Sequence, residues 1–168
     1  CIRDRWRSEE ACLLAGRKTV ENDNPSLTTR EVNGPNPIRL IIDPYLKLKK
    51  GYEVFNDDAQ TYLFNNLKNQ RNDNVAYIKV GKENFLLDML SFIYQQEWNS
   101  IIVEGGAYTI NQFLEKNIWD EARVLVGKPQ FNSGLRSPVL KQNVFSIVKF
   151  KDDICLLYTS PSPRDQRG

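Results

Sequence analysis

The chain has 168 residues and a net charge of +2, with 40% hydrophobic and 26% charged residues. That length supports one domain with a real core, and the charge is too small to draw it to nucleic acid or an anionic membrane surface. It contains no histidine, which excludes Ser-His-Asp and Cys-His catalysis, histidine-ligated zinc and a histidine acid–base. Cys1, Cys12 and Cys155 form no CxxC pair, so no metal site or redox pair is expected, and their wide spacing fits a reducing compartment. No apolar run approaches the ~20 residues of a membrane span, and no signal peptide is visible. A start at Cys1 rather than Met points to a fragment.

In chain order, Arg3 to Glu10 is charged and compatible with a helix. Ala11 to Ala15 (ACLLA) reads as a buried strand and Gly16 to Asn22 as one or two helical turns. Asp23-Asn24-Pro25-Ser26 and Asn33-Gly34-Pro35-Asn36-Pro37 are turn chemistry. Ile38 to Asp43 reads as a central strand that Pro44 ends. Thr61 to Phe64 and Val75 to Lys79 are strand candidates, with Asn65 to Asn74 a loop between them. Glu83 to Gln96 is a helix whose Leu86, Met89, Leu90 and Ile93 share one apolar face. Ser100 to Glu104 (SIIVE) reads as another buried strand, Tyr108 to Lys116 as a helix, and Ala122 to Val126, Val144 to Phe150 and Ile154 to Tyr158 as later strands. Trp6, Trp98 and Trp119 are expected in packing roles. The alternation predicts an α/β sheet, mostly parallel, with helices on both faces and right-handed crossovers. Thr159 to Gly168 has no apolar residue and two prolines, which predicts a disordered tail. The stretch CLLYTSPSPRD also resembles translated sequencing-adapter read-through, which would place the natural terminus near Cys155. The expected organisation is a domain over 1–158 and a tail over 159–168.

Three clusters could carry chemistry. The first is Glu104-Gly105-Gly106-Ala107, at the carboxyl end of a strand and the start of a helix, where α/β folds bind ligands. Its plain structural alternative is a tight strand-to-helix turn. It is neither GxGxxG nor a P-loop. The second runs from Thr19 to Arg30. Thr19 and Asp23 share a helical face if the short helix extends that far, and Arg30 could fork onto a phosphate. An ordinary polar connection is the alternative. The third is Arg3, Arg5 and Arg7, by default a solvated helix face.

Taken together, WRSEEACLLAGRKTVENDNPSLTTR, GPNPIRLIID and IIVEGGAYTINQFLEKNIWDEARV resemble the reductase domain of the bifunctional riboflavin-biosynthesis deaminase-reductase. The family pattern is T-V-x-x-D-x-P-x-L-T-x-R, then P-x-R-[IV]-[IV]-[IVL]-D, then [VI]-E-[GA]-G-x-x-[LIV]. All three occur here in order, and the likeness covers about Arg3 to Leu140.

The resemblance implies a three-layer dihydrofolate-reductase-like fold with its N-terminal strand missing. It implies a cytoplasmic, NADPH-dependent enzyme that reduces 5-amino-6-(5-phosphoribosylamino)uracil to the ribitylamino compound by hydride transfer to ribose C1′. By the same likeness Thr19, Asp23, Gly105, Gly106, Ala107, Tyr108, Thr109, Ile110, Asn111 and Gln112 would bind cofactor. Arg7, Leu27, Arg30 and Glu104 would bind substrate, the two arginines at its 5′-phosphate and Glu104 at the reacting end as the catalytic carboxylate. Pro44 stands where the family often has a small polar residue near the cofactor, and it removes an N–H donor. A homodimer and a preceding zinc deaminase domain are the expected partners. Another dihydrofolate-reductase-like pterin or pyrimidine reductase is an alternative, as is a non-catalytic nucleotide-binding fragment. Sites gathered in one cleft favour the enzyme; sites scattered over the surface favour the fragment.

Overall fold

The runs ACLLA and IRLII become neighbouring strands because both are buried, and a buried backbone needs a partner for every N–H and C=O. In the computed structural model, which describes residues 2–128, 134, 136–150 and 153–160, β1 (Cys12–Gly16) lies parallel between β2 (Ile38–Ile42) and β6 (Ile101–Val103). β3 (Thr61–Asn65) adds in parallel to β2, and β5 (Val75–Lys79) to β3. The two-residue β4 (Gln70–Arg71) runs antiparallel on the outside of β5. The order is β4-β5-β3-β2-β1-β6, so the mostly parallel α/β sheet expected from the sequence is present. All five parallel strands present their carboxyl ends at one edge of the sheet, where ligands bind in open α/β folds.

Cys12, Leu13, Leu14 and Ala15 are wholly buried, as are Leu40, Ile41 and Phe64. Each such leucine contributes about 2 kcal/mol of burial, so packing rather than strand propensity holds these short segments. Burial also pushes the Cys12 thiol up to about 12, which leaves it unreactive at neutral pH. The helices of this part are α1 (Ile2–Glu9), α2 (Arg17–Asp23) and α3 (Phe85–Gln95). On α3, Leu86, Met89 and Ile93 are buried and Leu90 is half-buried, as the spacing predicts. Trp98 meets Tyr62 edge-on at 4.7 Å, a packing role.

Three places differ from the sequence reading. The connection from Asn65 to Asn74 contains β4, which pairs with β5 as a hairpin, and its start is organised by the buried Asn65. The Asn65 amide donates to the carbonyls of Leu63, Lys68 and Ile78, and its oxygen accepts the N–H groups of Leu67 and Lys68. β6 is half-buried and not fully buried, because it lies at an edge of the sheet. A 3-10 turn at Glu53–Phe55 had no sequence signal.

That turn is organised by Arg39, a charged residue in the middle of the core at 0% exposure. Its Nη1 donates to the carbonyls of Val54, Asn56 and Ala59, and its Nη2 to Asn56 Oδ1. Burial lowers its pKa, opposed by the charges of Asp58 and Glu53.

The chain divides into two compact units, up to Thr109 and from Ile110. α4 (Ala107–Glu115) runs from the first into the second. The second unit holds an antiparallel sheet of β7 (Glu121–Val126), β8 (Ser146–Phe150) and β9 (Asp153–Thr159), in the order β7-β9-β8. Cys155 is buried in the middle strand. Of the expected tail, Thr159 ends β9 and the Ser160 N–H donates to the Asp120 carbonyl; residues 161–168 lie outside the described residues. Among the described residues no helix is long and apolar enough to cross a membrane.

Replacing Arg39 by Met keeps its bulk but strands several buried acceptors. We predict a loss of about 3 kcal/mol, read from urea unfolding at fixed pH. A loss under about 1 kcal/mol would show that solvent reaches those carbonyls.

Candidate active site

α1 is short and mostly charged, yet Arg7 in its last turn is buried. Its partner is Glu104, the residue after β6, whose N–H extends the ladder by donating to Leu14 O at 3.0 Å. Arg7 grips the Glu104 carboxylate side-on, Nε to Oε1 at 2.9 Å and Nη2 to Oε2 at 2.5 Å. The hydrogen bonds that Arg7 donates to Glu104 push its pKa above its already high value, against burial, with Glu104 and Asp4 adding charge attraction. Arg7 Nη1 also donates to the Thr28 carbonyl at 3.1 Å and lies 3.5 Å from Asp4 Oδ1.

The segment after α2 is bent to meet this pair. Asn24 caps α2 in the left-handed region (φ 41), and its Oδ1 accepts the Glu53 N–H. Leu27 also has positive φ (51), uncommon for a branched residue and costing about 1 kcal/mol. Its side chain is buried in the core cluster with Leu13, Ile41 and Val54. The Arg7 bond to Thr28 fixes the strained turn from the other side.

These elements line an open cavity of about 560 Å³. Arg7, Thr19, Asp23, Leu27, Arg30 and Glu104 all line it, although the sequence separates them by up to 97 positions. α2 extends to Asp23, so Thr19 and Asp23 do share a face. Asn24, Pro25, Ser26, Glu53 and Arg3 complete the lining. Glu53 carried no sequence signal, being placed by the Arg39-organised turn. Arg3 lies one turn from Arg7, on a face that the sequence alone predicts to be solvated. Arg3 and Arg30 are exposed. Arg7, expected to converge with Arg30 on a phosphate, has its donors on Glu104, Thr28 and Asp4.

The two glycines of the turn differ in role. A Cβ on Gly105 would come within 2.5 Å of Gly16 N and 2.9 Å of Ala15 Cα, so Gly105 allows the turn to close on the end of β1. Gly106 is exposed, and its N–H donates to Thr19 Oγ1 at 2.9 Å. At the start of α4, Ala107 is half-buried, Tyr108 exposed and Thr109 buried. Ile110, Asn111 and Gln112 follow on α4, half-buried, in the second unit. Pro44 directly follows the buried Asp43 at the end of β2 and does not line this cavity. No cluster of potential metal ligands occurs among the described residues.

The sequence model of the RibD C-terminal domain matches residues 2–142, across both units. The chain belongs to that family. A reductase of 2,5-diamino-6-ribosylamino-4(3H)-pyrimidinone 5′-phosphate from Archaeoglobus fulgidus is 30% identical, over 83% of this chain and 71% of that one. The riboflavin biosynthesis protein RibD of Aquifex aeolicus is 28% identical over 77% of this chain but only 38% of its own length. A crystal structure of a Thermotoga maritima diaminohydroxyphosphoribosylaminopyrimidine deaminase/5-amino-6-(5-phosphoribosylamino)uracil reductase superposes with a TM-score of 0.82. It is 23% identical, and the match covers 95% of this chain and 48% of that one. The fold is therefore that of the RibD reductases, and the chain spans about two fifths to a half of the bifunctional relatives.

Gly105→Ala should destabilise the chain by about 2 kcal/mol, because backbone stands in the way, whereas Gly106→Ala should cost under about 0.5 kcal/mol. Thermal unfolding of the two variants side by side checks this; equal losses would contradict the assigned packing.

Proposed function

We propose that the chain is the reductase module of riboflavin biosynthesis, reducing a ribosylaminopyrimidine 5′-phosphate at ribose C1′ with NADPH. The observation that carries this is the gathering of Arg7, Thr19, Asp23, Leu27, Arg30 and Glu104 around one cavity. A non-catalytic fragment has no need of that gathering. The substrate is 5-amino-6-(5-phosphoribosylamino)uracil; the name of the 30%-identical archaeal relative favours the diaminopyrimidinone analogue as a second reading.

The residues suit such a pair of ligands. The Thr19 hydroxyl, the Asp23 carboxylate and the turn at Gly105 and Gly106 into Ala107, Tyr108 and Thr109 offer hydroxyl- and phosphate-binding groups beside the cavity. Ile110, Asn111 and Gln112 join the cofactor set through the sequence resemblance alone. NADPH supplies the hydride when bound. Glu104, held side-on by Arg7, accepts hydrogen bonds from the sugar or amino groups near the reacting carbon and holds that carbon in place. Arg30, with Arg3 one helical turn from Arg7, binds the phosphate dianion. Leu27 presents an apolar wall that excludes water. Arg7 acts through Glu104. The reaction is a matter of positioning, which suits a chain without histidine. A cytoplasmic location, a homodimer and association with a zinc deaminase domain belong to the same proposal.

Fluorescence titration with NADPH and turnover of both pyrimidine phosphates test it; absence of binding and turnover in folded protein would refute it. Arg30→Ala should raise the substrate KM about 10- to 100-fold with little change in the NADPH Kd. Equal weakening of both would remove Arg30 from the phosphate.

A further inference from the structure

Asp4 has no part in the reaction above, yet only 5% of it is exposed. Its two oxygens face different site segments. Oδ1 lies 3.5 Å from Arg7 Nη1, and Oδ2 accepts the backbone N–H of Glu31 at 3.0 Å. Glu31 directly follows Arg30. We propose that Asp4 is a positioning residue that locks the Arg7–Glu104 pair to the segment carrying Arg30, fixing the separation between the carboxylate and phosphate ends of the cavity. The inference rests on the function proposed above.

Two of the hydrogen bonds that hold the segment come from one helix. Arg7 takes the Thr28 carbonyl, and Asp4, one turn earlier on α1, takes the Glu31 N–H. Between them, Thr29 is half-buried and Arg30 exposed, and residues 31–36 are mostly exposed. Thr29 is tied to Asn36 of the same loop through its N–H and hydroxyl, at 3.0 and 2.8 Å; that loop packs on Ser8 of α1 at Gly34 and donates from Asn36 to the Asp58 carbonyl, contacts that lie further from Arg30 than the Asp4 bond does. Without Asp4 the backbone beside Arg30 loses this hydrogen bond to α1, and the Arg30 end is held less closely to Glu104. A sugar phosphate must place its anion and its reacting carbon at once, so such loosening weakens the phosphorylated compound selectively. A compound without the phosphate loses nothing. A merely structural role for Asp4, neutralising Arg7, would affect both compounds alike.

The test uses Asp4→Ala and the milder Asp4→Asn in the full chain. Amide hydrogen exchange at Glu31 should accelerate about 10-fold or more in Asp4→Ala, with Leu14 and Leu40 unchanged. The KM for the phosphorylated substrate should rise about 10-fold, with kcat within about 3-fold and the KM for its dephosphorylated counterpart unchanged. If Asp4→Ala also loosens Leu14 and Leu40, Asp4→Asn carries the test with smaller changes of the same pattern. Unchanged protection at Glu31 in the folded variants overturns the lock. So does a fall in kcat with the preference for the phosphorylated compound intact. If the wild-type chain turns over neither compound, the proposed function falls, and the lock is then judged by Glu31 exchange alone.

Discussion

The side-on contact between Arg7 and Glu104 ties the first helix to the tip of β6 across 97 positions of sequence. The pair is buried at Arg7 and part-buried at Glu104; it adds little net stability, but removing one partner leaves an uncompensated charge and costs about 3 kcal/mol. Such a pair therefore specifies geometry. From Arg7 the chain of dependence runs to the Thr28 carbonyl, then to Leu27 in its left-handed conformation, and through Asp4 to the backbone beside Arg30. One guanidinium thus sets both the strand-tip carboxylate and the loop opposite it.

The pair also decides the electrostatics of the cavity. With Arg7 and Glu104 neutralising each other, the remaining charges around it are Arg3 and Arg30 against Asp23 and Glu53. Cationic groups suit a phosphate, and carboxylates suit hydroxyl and amino donors. A phosphorylated sugar joined to a polar ring carries both kinds of group. Glu53 owes its place to Arg39, whose buried guanidinium gathers the turn, so a core residue shapes the site wall at a distance.

The strands β1, β2 and β3 were legible because each is a short run whose burial leaves no other use for it, and β5 as a half-buried run rich in strand-forming residues. α3 was legible from the spacing of Leu86, Met89 and Ile93. β4 and the Glu53–Phe55 turn were not, because side-chain hydrogen bonds to the backbone shape them, locally and to Ile78 from Asn65 and across a longer stretch from Arg39, and periodicity does not record these. Thr19, Asp23, Leu27, Arg30 and Glu104 could be picked out by resemblance to a family pattern, and α2 reaching Asp23 supported the first two. The role of Arg7 was only half visible: the residue was marked, but its engagement with Glu104 depends on where β6 ends. Gly105 and Gly106 looked alike in sequence, yet one faces the end of β1 and the other lies open beside Thr19. Asp4 gave no signal, since a carboxylate three residues before an arginine on a helix usually faces solvent.

The most direct test of the central claim is a double-mutant cycle on Arg7→Ala and Glu104→Ala, read by urea unfolding at neutral pH. If the pair fixes the site wall, the two losses will fall short of additivity by about 2 kcal/mol or more, because removing the second partner costs little once the first is gone. Additivity within about 0.5 kcal/mol would mean that Arg7 and Glu104 act separately, and the geometry of the cavity would need another source.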